Sequence, residues 1–270
     1  MLKPSIAAAV VALLLISCPV VLADTLIGTD GPDQLIGTEL PDQLYGEGGD
    51  DRLIGLGGSD YLEGGPGNDL IDAGAGLDLV IGGTGDDRID AGAGDDVVYA
   101  GAGDDLVLGG PGSDTLFGQA GADRLFGGSG ADRIYASGPD FVDGGSGPDW
   151  ISASAGDATI FGGPDNDVIT ASDGNFTIRG GPGQDRIRTG DGSDQVNGGP
   201  GRDVIATGAG DDRIDVRDGY RDRVRCGPGR DTVEADQFDV LVGCEIVHRT
   251  VHPRPTPSPP SLATTGHADR

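Results

Sequence analysis

Through most of this chain a single aliphatic residue returns every ninth position, set among glycine and polar residues. Between Gly82 and Tyr135 the blocks read GGTGDDRID, AGAGDDVVY, AGAGDDLVL, GGPGSDTLF, GQAGADRLF and GGSGADRIY. Each follows Gly-Gly-x-Gly-x-Asp-x-aliphatic-x. Position eight is Ile89, Val98, Val107, Leu116, Leu125 and Ile134. One apolar residue between two variable ones predicts a short strand over positions seven to nine. Position eight should face inward, and seven and nine outward. The glycine-rich half predicts a turn, because glycine enters positive φ without steric cost. A fixed period held over this length dictates a repeat architecture.

The frame extends well beyond those blocks. Position six is Asp at Asp33, Asp42, Asp51, Asp60, Asp69, Asp78, Asp87, Asp96, Asp105, Asp114, Asp123 and Asp132 in unbroken register. One residue is then missing, giving Asp140. The frame resumes through Asp149, Ala158, Asp167, Phe176, Asp185, Asp194, Asp203 and Asp212. One extra residue precedes Asp222, and Asp231 follows. Of these 23 frames, 21 carry Asp, and the residue two further on is Leu, Ile or Val in all of them. The first two frames, GTDGPDQLI and GTELPDQLY, are irregular and read as an N-terminal cap, since terminal repeats meet solvent on one face.

Glycines, aspartate and an aliphatic residue in these slots resemble the repeats-in-toxin family of hemolysin-type calcium-binding repeats. The resemblance implies an all-β chain folded as a right-handed parallel β-roll, a β-helix solenoid of about 23 nonapeptide repeats, two to each eighteen-residue coil. It further implies that calcium is held by Asp side chains of adjacent same-side turns together with backbone carbonyls. The 21 position-six aspartates are then the expected metal ligands.

The charges argue the same way. Aspartates two frames apart would stack at about 5 Å and repel by roughly 3 kcal/mol at an effective dielectric of 20. Protonation or a bound cation must relieve that column. Calcium takes six to eight hard oxygen ligands in flexible geometry, whereas magnesium is stricter and keeps its waters. Same-side pairing allows at most eighteen sites, ten on the edge running from Asp42 to Asp222 and eight on the other. Ala158 and Phe176 fall consecutively on that second edge, so a calcium-poor patch is expected there between Asp140 and Asp194.

Composition narrows the function. The chain has 270 residues, a formal net charge of −27, 52 glycines and 4% aromatics. That excludes a thick aromatic core, yet the acids keep a period that a disordered acidic tail has no reason to keep. The charge argues against nucleic acid, which needs a basic face. Residues 1–23 carry Lys3, an apolar run from Ile6 to Ile16 and small residues ending at Ala23. They read as a secretory signal peptide, too short for a membrane span. Leu15-Ile16-Ser17-Cys18 also resembles a lipobox, which would place a lipid on Cys18. The solenoid is expected over 24–235 and a C-terminal cap over 236–250.

Cys226 and Cys244 lie one eighteen-residue coil apart. That spacing brings two stacked residues within disulfide range, and an exported chain can oxidise them. Two free thiols are the alternative, and zinc fits less well. Residues 251–270 are Pro-rich and expected to be extended. Their Leu262-Ala263-Thr264-Thr265-Gly266 resembles a sortase sorting signal, although only four residues follow it.

At outward positions, Tyr99, Phe117 and Tyr135 should form one column, Leu108 and Phe126 another, with Trp150 nearby. They suit sheet stabilisation or, alternatively, partner contact. Arg179, Arg186, Arg188, Arg213, Arg223 and Arg225 also face out. They could offset acidic turns or meet a polyanionic surface polymer. The three histidines lie near or in the tail, which leaves no serine-histidine-aspartate arrangement. No enzyme activity is therefore expected. The sequence points to an extracellular, calcium-ion-binding structural or adhesive protein that can attach to a cell-surface polymer or to itself. The alternative is an accessory or remnant of an exoenzyme or toxin whose catalytic part is absent.

Overall fold

The computed structural model describes residues 23–251. The signal-peptide reading, Cys18, the Pro-rich tail after Val251 and the sorting-signal stretch lie outside those residues. No helix long and apolar enough to cross a membrane occurs among them.

The described chain winds through 26 strands, from β1 (Thr25–Thr29) to β26 (Ile246–Thr250). Odd-numbered strands stack in one thirteen-stranded sheet and even-numbered strands in another. All pairing is parallel, each strand lying on the one two further along the chain. Two nonapeptides thus make one coil. The register is eighteen residues, as in Leu44 on Leu62 and Leu62 on Val80.

Position-eight side chains fill the space between the sheets. From Leu44 to Val233 all are buried, most with no exposed surface. Position one also points inward, and where it carries a side chain that side chain is small, as in Ala73, Ala91, Ala100, Ala153 and Ala171. The core is therefore one aliphatic layer padded by alanine and glycine, which is why so few aromatics suffice. At about 25 cal/mol per Å2 of apolar surface, so thin a layer leaves little reserve for burying charge.

The two frame irregularities fall in turns. Across the missing residue the register becomes seventeen, with Arg124 on Phe141 and Arg133 on Trp150. Across the extra one it becomes nineteen, with Val204 on Arg223. A slip within a strand would turn its aliphatic residue out to solvent, so only a turn can absorb it.

Two expectations need revision. Strands in the middle of the solenoid are longer than three residues. β9 (Val97–Ala102) and β10 (Leu106–Pro111), for example, run on through positions one to three of the next frame. The turn proper is only positions four to six. At the C-terminal end, the segment assigned as a cap continues both sheets as β25 (Val240–Val242) and β26. At the other end the ladder begins with β1, within the 24–235 span expected for the solenoid and one half-coil before the first frame counted by its aspartate, so there the expectation stands.

The cysteines pair as the coil spacing requires. Cys226 and Cys244 form a disulfide with their Cα atoms 5.2 Å apart, joining the last coil of the odd sheet to the coil before it. The aromatic columns also form. Tyr99, Phe117 and Tyr135 stack with ring centroids 4.6 Å apart, and Trp150 meets Tyr135 edge-on. On the other sheet Phe126, Phe141 and Phe161 make a tilted series, with the Arg124 guanidinium near Phe126 and Phe141 and that of Arg179 near Phe161.

Candidate metal columns

Each turn delivers its position-six aspartate to an edge of the solenoid where the chain passes between sheets. The glycine turn makes that close stacking possible. Gly67 has φ of +145°, and a Cβ there would collide with the carbonyl of Gly49 on the preceding coil. Only a residue without a side chain lets successive turns pile at strand spacing. Where the pattern fails the backbone stays in the left-handed region: Glu47, Leu56, Gln119 and Asp165 all have positive φ. Such residues are held there by neighbouring coils against their own preference.

Two columns result. Asp33, Asp51, Asp69, Asp87, Asp105, Asp123, Asp140, Asp194, Asp212 and Asp231 lead into the even sheet. Asp42, Asp60, Asp78, Asp96, Asp114, Asp132, Asp149, Asp167, Asp185, Asp203 and Asp222 lead into the odd sheet. From Asp42 onward every one is essentially buried.

The two oxygens of each carboxylate have different fates. One, Oδ1, accepts the backbone N–H of the position-six residue one coil earlier. Asp51 donates to Asp69, Asp60 to Asp78 and Asp87 to Asp105, each at 2.7–2.8 Å. The ladder continues through both frame irregularities, from Asp123 to Asp140 and from Asp203 to Asp222. The other oxygen, Oδ2, is buried without any hydrogen-bond partner at eighteen aspartates, Asp51 through Asp132, Asp149, Asp167, Asp185, Asp194, Asp203, Asp212, Asp222 and Asp231. A buried anionic oxygen with no partner costs several kcal/mol, so eighteen in two columns demand either a counter-charge or protonation.

The surroundings of Oδ2 are oxygen-rich. A Cβ built on Gly162 would lie 2.5 Å from both Asp167 Oδ2 and the carbonyl oxygen of Gly180 on the next coil. The same holds for Gly180 with Asp185 Oδ2 and the Gly198 carbonyl. Carboxylate and carbonyl thus face one small space with no side chain in it. Among the described residues no three Asp, Glu, His or Cys side chains converge as a metal-binding group. An ion in this space would draw on backbone carbonyls as well as carboxylates, a donor set that fits calcium.

Burial also raises the carboxyl pKa values. Loss of solvent pushes Asp87, Asp96, Asp123, Asp149, Asp167 and Asp203 up to about 7, and Asp222 up to about 8. The amide donated from the preceding coil pulls each down, and the like charges of stacked neighbours add a further rise. The charge-stacking argument from sequence put repulsion first. The structure puts desolvation first and repulsion behind it, because each carboxylate is almost wholly removed from water while its charged neighbours lie a full coil away.

Three predicted ligands differ from the rest. Asp33 Oδ2 accepts the amide and hydroxyl of Thr29, Asp42 Oδ2 those of Thr38, and Asp140 Oδ2 the amide of Ser137. Their own turns satisfy them. Between Asp140 and Asp194 the even-sheet edge carries Ala158 and Phe176, both buried. The Phe176 ring lies in the turn, where a Cβ on Gly174 would be 3.2 Å from it.

Sequence reasoning missed three members of the ladder. Asp24 donates its amide to Asp42, Asp239 Oδ1 accepts from Asp222, and Glu245 accepts from Asp231. Each precedes a strand by one residue, so an acid one residue ahead of a strand was the available signal. It also missed a second ladder at position five, running the other way. Asp50 accepts from the amide of Asn68, Asn68 from Asp86, and Asp86 from Asp104. These side chains are exposed and tie successive turns together outside the buried columns.

A model of the RTX calcium-binding nonapeptide repeat matches the chain in successive stretches running from residue 22 to residue 233. No curated protein matches it. Among solved structures, the chain is similar to a hyperactive, Ca2+-dependent, β-helical antifreeze protein from an Antarctic bacterium. The identity is 20%, over 77% of this chain and 84% of that one, with a TM-score of 0.45.

Proposed function

Since the chain belongs to the RTX calcium-binding nonapeptide repeat family, whose repeats bind calcium, we propose that its ions sit along both edges of the solenoid between successive turns. The eighteen aspartates with an unpartnered Oδ2 would hold them, together with turn carbonyls. Asp33, Asp42 and Asp140 would contribute to the backbone ladder alone. The ions supply the positive charge that lets buried carboxylates stay ionised at neutral pH.

We further propose that the loaded solenoid is a secreted structural or adhesive protein acting at the cell surface or in the extracellular space, without catalytic activity. Folding would then be gated by compartment. An acidic chain stays open where calcium is scarce and closes around the metal outside the cell. The two columns of buried, unpartnered carboxylate oxygen support the calcium-gated folding above any other observation.

The test is circular dichroism of the purified chain at neutral pH with calcium and after chelation, alongside calorimetric counting of bound ions. The β signal should collapse on chelation and return with calcium. An unchanged spectrum, with no ions counted, would defeat the proposal.

A further inference from the structure

The face of the odd sheet near the C-terminal end carries a groove of about 600 Å3, a size typical of ligand sites. It runs along the solenoid axis across four successive coils. Asn166, Gln184, Arg202 and Arg221 form one wall. Val168, Arg186, Val204 and Arg223 form the other, stacked in strand register. The four arginines are exposed. Among the described residues none of the four makes an ion pair, whereas Arg217 nearby pairs with Asp215 and Glu234. On the same edge nearer the N-terminus, position five is Ser59, Leu77, Asp95 and Ser113, so the guanidinium lining is confined to this end.

We propose that this groove binds a linear polysaccharide carrying carboxylate or sulfate groups at regular intervals along its chain. The inference names the partner class for the adhesive reading above and rests on it. A guanidinium engages a carboxylate or sulfate through two parallel N–H donors, which a lysine cannot do. Arg202 and Arg221 lie one coil apart, about 5 Å along the axis, and Arg186 and Arg223 two coils apart, about 10 Å. A lone small anion would engage two of these groups and leave the others unpaired. A polymer with regularly spaced charges meets all four. Asn166 and Gln184 add amides suited to sugar hydroxyls. No aromatic ring lines the groove, so it offers no stacking platform for bases.

The groove overlies Asp167, Asp185 and Asp203 of the odd-sheet column. Counter-charge in that column removes the negative floor beneath the anion. Binding should therefore need the calcium-loaded protein.

The experiment titrates the full chain in calcium, at fixed ionic strength, with fluorescent hyaluronan fragments, dextran sulfate, neutral dextran and a short DNA duplex. Hyaluronan or dextran sulfate should bind, and the stronger of the two assigns carboxylate or sulfate as the recognised group. Arg202→Ala with Arg221→Ala should weaken that binding about tenfold or more, the loss expected for charge-assisted hydrogen bonds. Arg52→Ala with Arg88→Ala removes equal charge from the other sheet, far from the groove, and should leave binding within about twofold, the scale of a screened surface charge. Equal losses in the two pairs, tighter binding of DNA, or no binding to either anionic polymer would overturn the proposal. Circular dichroism of every variant separates the two readings. Intact calcium-driven folding without polymer binding removes the groove alone, while loss of calcium dependence in the parent chain removes the calcium reading.

Discussion

Asp167 donates its backbone amide to Oδ1 of Asp185 at 2.9 Å, while Oδ2 of Asp185 is buried with no partner. One carboxylate thus does two jobs. Half of it closes the backbone ladder between coils, and half faces the oxygen-lined space between turns. The two halves can be separated by mutation.

Asp185→Asn keeps an oxygen for the ladder but removes the charge. In calcium the variant should bind fewer ions and lose about 1–3 kcal/mol of stability, the scale of a lost charged partner. After chelation at neutral pH the effect should reverse, because a neutral amide is cheaper to bury than an unpartnered carboxylate. Chemical denaturation in calcium, and the pH at which each chelated chain regains β signal on acidification, check the opposite signs. Equal destabilisation in both conditions would contradict a metal-facing Oδ2.

Acidification should favour the metal-free fold. Burial raises Asp87, Asp96 and Asp167 from 3.8 to about 7, and Asp222 to about 8. The folded chain therefore holds protons more tightly than the unfolded one, and stability falls as pH rises from about 4 to about 8. Chelated protein should show more β signal at pH 5 than at pH 8. Calcium competes with those protons, so its affinity should drop as pH falls below about 7, with proton release on binding. Calorimetry in two buffers of different ionisation enthalpy measures that release.

The gap on the even-sheet edge should be repairable. Ala158→Asp with Phe176→Asp restores two carboxylates and gives the amides of Asp140 and Ala158 the acceptors they lack. Bound calcium should increase, and the doubly substituted chain should depend more steeply on calcium for folding. Phe176→Ala instead removes a buried ring without adding a ligand. It should cost about 3–5 kcal/mol in calcium. An unchanged ion count in the double variant would show that this edge cannot accept the metal.

Reduction of Cys226–Cys244 should loosen one end only. The bond closes a loop of eighteen residues, worth about 3 kcal/mol in the chain-entropy picture. Amide exchange should accelerate in β25 and β26, where Val240, Val242 and Val247 are already partly exposed, and remain slow at Leu116 or Ile134. Uniform loss of protection along the solenoid would contradict an end staple.

Much of this molecule was written in its period. The alternation around position eight, with Leu62, Val80, Val98 and Leu116 all inward, needs only the two-residue repeat of a strand. The eighteen-residue coil came from the family resemblance of that frame, and the spacing of Cys226 and Cys244 agrees with it. That is local information, because every coil touches only its neighbours. What the period could not reveal lies where the frame ends or where two oxygens of one side chain diverge. Asp24, Asp239 and Glu245 join the ladder through strand register rather than motif. Thr29, Thr38 and Ser137 satisfy Asp33, Asp42 and Asp140 through turn geometry that the aspartates alone do not announce. The groove of Arg186, Arg202, Arg221 and Arg223 exists only once three coils are stacked, which brings residues 37 positions apart onto one wall-to-wall surface. Sequence alone determined the nine-residue frame, its inward column and the acidic composition of its turns, since those depend on spacing. Tertiary structure decided which carboxylate oxygens are left without a partner, because burial and hydrogen bonding are set by the coil above and the coil below.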